Sequence, residues 1–428
     1  MTNTKTSSGS AAQTNTPPAP THTMVVHGQD VFENAYLDDL MKRLPTALAG
    51  YVDLRSDTVT RPTALMRKAM NLVEVDDSEY GDPITQYLEK MAAEMLGMEA
   101  ALFMPSGLMT NQVAILTHTK RGENIIIGQR SHISLHERSA FAIIAAVAAR
   151  HVASLDDTIS GEAVHEAYRE ATLYDSEATL LCLETPLING KVVSLDVLGS
   201  GYKAAKELGL AVHLDGTRVF NAAVALGVDV KEITQFCDTV MFCLSKGLGA
   251  PVGSILCGPK EFIEKARLNR KLLGGGMRQV GIYAAAGIVA LDTMVERLSV
   301  DHANAKHFAT SLANMNATGH KSFEVDEDNV DANLVFFKIS DKQFCHQTFV
   351  DYLFKNKVRI LPRSLRNGEK YRIVMHHNVS KEDIDYALGI IEMGYYHVIQ
   401  HKCACICTQS CTSALASEHD KLQQKRVA

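Results

Sequence analysis

Between Tyr51 and about Val300 the sequence alternates short runs that are apolar throughout with longer amphipathic runs. The short runs include "AALFMP", "ENIIIG", "ATLLCLE", "LAVHLDG" and "TVMFCLSKG", and the longer ones include "TQYLEKMAAEMLG" and "VLGSGYKAAKELG". A strand that is apolar on both faces must be covered on both faces, which is the situation of a parallel strand between two layers of helices. The pattern therefore predicts an α/β fold built on a mainly parallel sheet.

A change of pattern near residue 300 divides the chain. From Ser299 to about Lys402 the sequence opens with a helical pattern and continues with "DANLVFFKI", "VRILP" and "YRIVMHH", which are typical of strands. We predict a disordered N-terminal extension over 1–33, a large domain with an N-terminal arm over 34–300, a small α+β domain over 301–402 and a flexible, cysteine-containing tail over 403–428. The arm includes a short amphipathic helix within 34–50.

Charge and hydropathy exclude several classes of partner. The net charge of -6 gives no basic field for nucleic acid. The longest apolar stretch, "AFAIIAAVAAR" over 140–150, is too short to span a bilayer and is predicted to be a buried helix. We therefore expect neither a nucleic-acid partner nor a membrane span.

The cysteines and the N-terminus bear on the compartment. The body cysteines lie in apolar contexts, which favours reduced core cysteines and a cytoplasmic protein; they are Cys182, Cys237, Cys243, Cys257 and Cys345. The segment Met1–Thr23 has no apolar signal region. Because it is rich in Ser and Thr and poor in acids, a mitochondrial transit peptide is the alternative to disorder, but it contains no arginine.

The tail places four cysteines in "HKCACICTQSC". Their alternate spacing differs from the paired C-x-x-C of zinc sites. An extension without chemistry is the prediction, with acylation or metal binding as alternatives.

Two polar residues follow apolar runs where ligand sites form in such sheets. Asp215, in "AVHLDGTRVFNA", is either a helix cap or a cofactor partner, since ligands bind beyond the carboxyl ends of the strands. Lys246, in "TVMFCLSKGLGAPVGSILCG", is either a surface lysine in a glycine loop or a desolvated nucleophile with a lowered pKa. The presence of both favours the functional interpretation.

Four segments resemble the signatures of the L-threonine aldolases, which belong to the β-eliminating lyase group of fold-type I pyridoxal-phosphate (PLP) enzymes. They are "DLRSDTVTRPT", "HLDGTRVFNA", "CLSKGLGAPVGS" and "RKLLGGGMRQVG", in that order, and the resemblance covers about Tyr51 to Leu388. It implies a large domain with a mainly parallel seven-stranded sheet and PLP as the cofactor. It also implies cleavage of L-threonine, L-allo-threonine and related β-hydroxy-α-amino acids to glycine and an aldehyde.

The resemblance assigns three catalytic positions. Lys246 matches the lysine that carries the cofactor, and Asp215 matches the acid that keeps a proton on the pyridine nitrogen. His132, in "RSHISLHE", matches a histidine that stacks on the cofactor ring, with a role as general base as a further possibility.

It also implies a substrate clamp. Arg218 and Arg372 match two arginines near the substrate carboxylate, for which a planar guanidinium is suited. Ser56 matches a serine of the same site. From the residues alone, Arg372 could instead pair with a surface acid and Ser56 could simply cap a helix.

The phosphate site is the last implied element. Ser106, Gly107 and Leu108, in "FMPSGLMTNQVAI", match a phosphate cup at a helix N-terminus. Arg278 matches an arginine that reaches the phosphate from a neighbouring subunit, which implies a homo-oligomer, either a dimer or a tetramer.

Two departures from the family pattern keep an alternative open. Leu108 stands where the family commonly has threonine, and Leu187 stands about where many members have a histidine near the substrate β-hydroxyl. The alternative is an amino-acid racemase of the alanine type, or a β-eliminating lyase, on the same scaffold. A non-catalytic protein with a partner-binding role is opposed by the intact set of Lys246, Asp215 and Arg372.

Overall fold

The computed structural model describes residues 50–316, 322–341, 344–363 and 370–400, together with residues 36, 39–40 and 42–43. The chain forms two units, 1–50 and 51–428. In the first unit the described residues before Gly50 are helical, as predicted for the segment 34–50, and Arg43 pairs with Asp39 at 3.0 Å. The predictions for 1–33 and for the cysteine tail over 403–428 lie outside the described residues.

The second unit alternates strands and helices over most of its length. In chain order its strands are β1 (Val52–Asp53), β2 (Ala100–Met104), β3 (Asn124–Gly128), β4 (Ala148–Val152), β5 (Ala178–Glu184), β6 (Ala211–Asp215), β7 (Thr239–Cys243), β8 (Ser254–Gly258), β9 (Phe323–Val325), β10 (Leu334–Ile339), β11 (Val358–Arg359), β12 (Leu361–Arg363) and β13 (Lys370–Val374). Its α-helices are α1 (Ala64–Leu72), α2 (Pro83–Leu96), α3 (Gly107–His118), α4 (His132–Leu135), α5 (Gly161–Ala167), α6 (Leu195–Glu207), α7 (Val219–Leu226), α8 (Val230–Thr234), α9 (Lys260–Leu272), α10 (Gly281–Thr293), α11 (Leu298–Met315), α12 (His346–Lys355) and α13 (Lys381–Gln400). A 3-10 turn spans Asp57–Val59 and a short π-helix spans Phe141–Ala145.

The central sheet has seven strands in the order β2-β8-β7-β6-β5-β3-β4. The pairs from β7 through to β4 are parallel, and β8 runs antiparallel to both of its neighbours. The predicted mainly parallel seven-stranded sheet is therefore confirmed. Every residue of β3, β7 and β8 is buried, as expected for strands that are covered on both faces.

Helix α3 lies against this sheet, and its N-terminus lies near the candidate active site described below. Ser106 caps it by accepting a hydrogen bond from the backbone N–H of Met109. Its residues Thr110–Ile115 are all buried, and Val113 packs with strand residues in an apolar cluster. A helix that is buried around most of its circumference is normally apolar, so the neighbouring amides Asn111 and Gln112 are unusual there.

A second apolar cluster belongs to the C-terminal part of the chain. Strands β12, β13, β10 and β9 form a four-stranded antiparallel sheet, and α11, α12 and α13 contribute to the same core. Val52 and Leu54 join this cluster because β1 pairs in parallel with β11. The boundaries of the predicted domains remain a prediction.

The helix predicted over 140–150 is wrong for the second half of that segment. The π-helix ends at Ala145, Ala146 adopts a left-handed conformation with φ 56°, and the chain continues as β4. Pairing with β3 on the sheet edge overrides the helical preference of this alanine-rich stretch. No helix in the described part of the chain is long and apolar enough to cross a membrane. Four of the five body cysteines are buried as free thiols, as predicted, whereas the free cysteine Cys345 is only partly buried.

Candidate active site

The ends of three neighbouring strands meet at one cavity. Glu184 ends β5, Asp215 ends β6, and Lys246 follows β7. All three line a cavity of about 300 Å³. The cavity is lined by Ser56, Thr58, His132, His136, Glu184, Pro186, Leu187, Ile188, Asp215, Thr217, Arg218, Lys246, Leu334 and Arg372. Six residues predicted from the sequence, Ser56, His132, Asp215, Arg218, Lys246 and Arg372, therefore come together from distant parts of the chain.

Asp215 is a buried carboxylate held by neighbouring donors. Its Oδ2 accepts from Asn111 Nδ2 at 2.9 Å, and its Oδ1 accepts from the backbone N–H of Thr217 at 3.1 Å. Burial by itself raises the pKa of Asp215. Electrostatic interactions with His132 and Lys246, together with these hydrogen bonds, outweigh burial and hold the pKa of Asp215 below its usual value. Asp215 is therefore an anion in the folded protein.

Glu184 stands beside Asp215, but its pKa is shifted in the opposite direction. The two residues are paired in register across β5 and β6. Burial, followed by the negative charge of Asp215, raises the pKa of Glu184 well above its usual value. Its Oε2 accepts from the backbone N–H of His132 at 2.7 Å. The pKa values of the two adjacent carboxyl groups are thus moved apart, which favours a protonated Glu184 beside an ionised Asp215.

His132 is oriented by a buried carboxylate. Its Nδ1 lies 2.9 Å from Glu137 Oε1, and Glu137 is fully buried. The ring lines the cavity, and the ring of His136 meets it edge-on at 5.6 Å between centroids. With Nδ1 bonded to Glu137, Nε2 is the nitrogen left to act toward a ligand.

Arg218 lines the cavity and is held by an acid that the sequence did not reveal. Its Nε and Nη2 donate to the two oxygens of Asp57 at 2.6 and 2.7 Å. Burial raises the pKa of Asp57, but the charge and hydrogen bonds of Arg218 dominate and lower it far below its usual range. The pKa of Arg218 is raised despite burial because of Asp57.

Arg372 and Ser56 complete the polar wall. Arg372 lies in β13 and its Nη2 donates to the backbone carbonyl of Arg55 at 3.1 Å. Ser56 caps the 3-10 turn that follows it, since its Oγ accepts from the N–H of Thr58 at 3.2 Å. The capping interpretation of Ser56 thus describes its contacts, and the residue nevertheless lines the cavity.

The predicted phosphate residues lie outside the set that lines the cavity. Gly107 packs so closely on β7 that a Cβ there would lie 2.8 Å from Cys243 Sγ, and 4.0 Å from Oγ1 of the cavity residue Thr217. Leu108 is exposed, at 41%. The Arg278 side chain is 82% exposed and pairs with Asp77 at 2.9 Å, so within this subunit it does not reach the cavity.

The residues present fit PLP, the cofactor that the family resemblance implies. Lys246 Nζ forms no hydrogen bond or ion pair with any described residue, although it lies near buried acids. Asp215 is a buried anion of the kind that can hold a proton on a pyridine nitrogen. The N-terminus of α3, with Ser106 and the glycine that permits close approach, supplies N–H groups for a phosphate.

Four residues of the site were missed or left without a role by sequence reasoning. They are Asp57, Asn111, Glu137 and Glu184. Glu184 carried the same signal as Asp215, an acid at the end of an apolar strand. Asn111 carried a weaker signal, a side-chain amide within a mostly apolar helix. Asp57 and Glu137 lie within motifs quoted above but carried no signal of their own.

Comparison with known proteins agrees with this geometry. The family model described as β-eliminating lyase matches residues 53–341. The chain belongs to the β-eliminating lyases. The probable low-specificity L-threonine aldolase 2 of Arabidopsis thaliana is 41% identical over 349 residues, which cover 80% of this chain and 96% of that protein. The low specificity L-threonine aldolase of Escherichia coli strain K12 is 40% identical over 335 residues, covering 78% and 96%.

The fold of this β-eliminating lyase is shared with more distant solved structures. The threonine aldolase of Leishmania major superposes with a TM-score of 0.68 at 17% identity, covering 80% of this chain and 98% of that one. The predicted family and fold-type are thus confirmed. One of the two departures from the family pattern lies in the site, because Leu187 lines the cavity as a buried apolar residue.

Proposed function

We propose that this chain cleaves L-threonine, L-allo-threonine and related β-hydroxy-α-amino acids to glycine and an aldehyde, with PLP as its cofactor. The observation that carries the proposal is the meeting of Lys246, Asp215 and two arginines at one cavity. The level of identity to low-specificity L-threonine aldolases over most of the chain supports the same reaction.

The proposed roles around the cofactor follow from the contacts of each residue. Lys246 supplies the amine that holds the cofactor, since its Nζ has no partner among the described residues. Asp215 keeps a proton on the pyridine nitrogen, and His132 packs on the ring. When bound, PLP accepts the electron pair that is released at Cα.

The arginines select the bond that breaks. In our proposal Arg372 and Arg218 bind the substrate carboxylate, with Ser56 as a further donor. Fixing the carboxylate fixes rotation about the bond to Cα, so the Cα–Cβ bond can be held in the reactive orientation. Because Asp57 holds Arg218 through two of its nitrogens, that arginine is oriented before the substrate arrives.

The β-hydroxyl proton needs an acceptor that is not at Leu187. The groups that line the cavity and can exchange a proton with it include His132 Nε2, the His136 ring and the Glu184 carboxyl. We assign the acceptor role to His132, because Glu137 orients its ring through Nδ1 and the raised pKa of Glu184 favours the protonated form of that carboxyl.

The racemase and β-elimination alternatives are not favoured, because the curated relatives that cover most of the chain are threonine aldolases. The test is to incubate the purified enzyme and PLP with L-threonine, L-allo-threonine or L-alanine. We expect acetaldehyde from the first two and unchanged chirality of alanine. Loss of alanine chirality without acetaldehyde would make the protein a racemase, and Lys246→Ala controls for contaminating activity.

We further propose the higher-order features that the sequence predicted. Arg278 would complete the phosphate site of a second copy, so the enzyme would be a homo-oligomer, a dimer or a tetramer. Support comes from its exposure and from Ser106, Gly107 and Leu108 at the exposed start of α3. We also propose the division into domains near residue 300 and a cytoplasmic location, where the buried cysteines would stay reduced.

A further inference from the structure

Behind the cavity, one amide group connects two buried carboxylates. Asn111 Nδ2 donates to Asp215 Oδ2 at 2.9 Å and to Glu137 Oε1 at 2.8 Å. Both acceptors are fully or almost fully buried, and Asn111 itself is 1% exposed. Glu137 Oε1 also meets His132 Nδ1 at 2.9 Å. The amide therefore links the acid and the histidine that both line the cavity.

The other contacts of Asn111 fix the orientation of its side-chain amide. Asn111 Oδ1 lies 3.1 Å from His213 Nε2, and His213 Nδ1 lies 3.0 Å from Thr239 Oγ1. Because Asn111 Oδ1 can only accept, His213 Nε2 must be the donor and Nδ1 the acceptor. Burial lowers the pKa of His213 to about 4, so the ring is neutral, as this pattern requires. The amide of Asn111 cannot rotate without losing three hydrogen bonds.

Glu137 has a second, separate support. Gln112 Nε2 donates to Glu137 Oε2 at 2.6 Å, whereas Gln112 has no hydrogen bond to Asp215. Asn111 and Gln112 are adjacent on α3, and only the first touches both carboxylates. This difference between two neighbouring amides supplies a matched comparison.

Burying a polar cluster of this kind costs folding free energy, which favours a functional role for it. Two carboxylates in a buried position demand hydrogen bonds that an apolar packing arrangement would not need. Both ends of the cluster lie at the cavity, and its middle lies on the helix that begins at the predicted phosphate cup. One rigid helix thus sets the relative positions of the cup, the acid and the histidine.

We propose that Asn111 is a positioning residue that couples Asp215 to the Glu137–His132 pair, so that the carboxylate that would pair with the pyridine nitrogen and the imidazole that would pack on the ring are fixed together. The inference rests on the proposed function for the presence of the cofactor. It adds a residue that acts through others, since Asn111 is not among the residues that line the cavity.

The consequence of removing the bridge is specific. Without the Asn111 hydrogen bond, Asp215 loses one of the interactions that lower its pKa, and it becomes a weaker partner for a pyridinium nitrogen. Glu137 still accepts the hydrogen bond from Gln112, but the position of His132 is no longer fixed relative to Asp215. Removing Gln112 instead leaves the contact between Asn111 and Asp215 intact.

The test uses the holoenzyme reconstituted with PLP labelled with ¹⁵N in the pyridine ring. Wild type, Asn111→Leu and Gln112→Met are compared by the ¹⁵N chemical shift of the bound cofactor, by the dissociation constant of PLP and by kcat and KM for L-threonine. For Asn111→Leu we expect a shift toward the unprotonated nitrogen, PLP binding weakened about tenfold or more, and kcat reduced at least tenfold with a smaller change in KM. Gln112→Met should keep the wild-type nitrogen signal.

Asn111→Ser replaces the leucine variant in the test if Asn111→Leu does not fold. The serine side chain leaves space for water but cannot reach both carboxylates. We expect the same change in the ¹⁵N chemical shift for this variant. A wild-type nitrogen signal and wild-type PLP affinity in the Asn111 variants would overturn the inference, as would the same loss in Gln112→Met. Failure of the proposed function would look different. The wild type would then release no acetaldehyde, while the nitrogen signal would still report on the bridge.

Discussion

Arg218 and Asp57 form a two-point ion pair at the edge of the cavity, although they are 161 residues apart in the sequence. Asp57 is fully buried, and the Arg218 side chain is 16% exposed. Parallel hydrogen bonds of this kind fix the plane of the guanidinium as well as its position. Arg218 Nη1 has no partner among the described residues and is the donor left to meet a substrate carboxylate.

Asp57→Ala should both destabilise the protein and weaken substrate binding. Removing one partner of a buried pair leaves an uncompensated charge, which costs about 3 kcal/mol in the free energy of unfolding. Because Arg218 is then free to rotate, KM for L-threonine should rise more than kcat falls. Urea unfolding and steady-state kinetics measure the two effects.

The matched control is Asp156→Asn, which removes the exposed ion pair with Lys191. That change should cost less than about 1 kcal/mol and leave KM unchanged. Equal effects of the two substitutions would refute a special role for the pair of Asp57 and Arg218.

Glu184→Gln should change how stability depends on pH. The raised pKa means that the folded state keeps a proton which the unfolded state releases above its ordinary pKa of about 4.3. Over that window the free energy of unfolding of the wild type falls as pH rises, by up to about 1.4 kcal/mol per pH unit. The glutamine variant lacks this loss and keeps an acceptor for the N–H of His132.

Unfolding experiments at pH 5.5 and 7.5 can measure this difference. Relative to the wild type, Glu184→Gln should gain stability at the higher pH, whereas Glu264→Gln on the exposed face of α9 should not. A constant difference between Glu184→Gln and the wild type at both pH values would show that Glu184 is ionised in the folded state.

Much of the fold was accessible from the sequence because its signals are local. The apolar runs at β5, β6 and β7 predict buried strands, and the position of Asp215 and Lys246 after such runs predicts where a ligand binds. Neither inference needs knowledge of contacts between distant segments.

The rest depended on contacts between segments that are far apart in the chain. The partner of Arg218 could not be predicted, because nothing in the local sequence distinguishes Asp57 from the other acids. The bridge from Asn111 to Glu137 and Asp215 joins three separate elements. The error over 140–150 has the same origin, since pairing of β4 with β3 decides the conformation there.

Arg278→Ala should weaken cofactor binding if the site is shared between subunits. The side chain is exposed and does not reach the cavity of its own chain, so its effect on PLP affinity must come from a second copy. We expect the dissociation constant of PLP to rise about tenfold, consistent with the loss of a charge-assisted hydrogen bond to phosphate.

Lys271→Ala is the control, because Lys271 is also exposed and paired with an acid, Glu79. It should leave PLP affinity unchanged. Sedimentation velocity must show a dimer or larger species for both variants. A monomeric wild type, or normal PLP retention by Arg278→Ala, would contradict the shared site.

The most direct measurement locates the cofactor on the chain. The holoenzyme is reduced with borohydride, digested and analysed by mass spectrometry for a phosphopyridoxyl group on lysine. We expect the phosphopyridoxyl group on Lys246, the lysine that follows β7 and shares the cavity with Asp215. A group attached to another lysine, or no modified lysine at all, would contradict it.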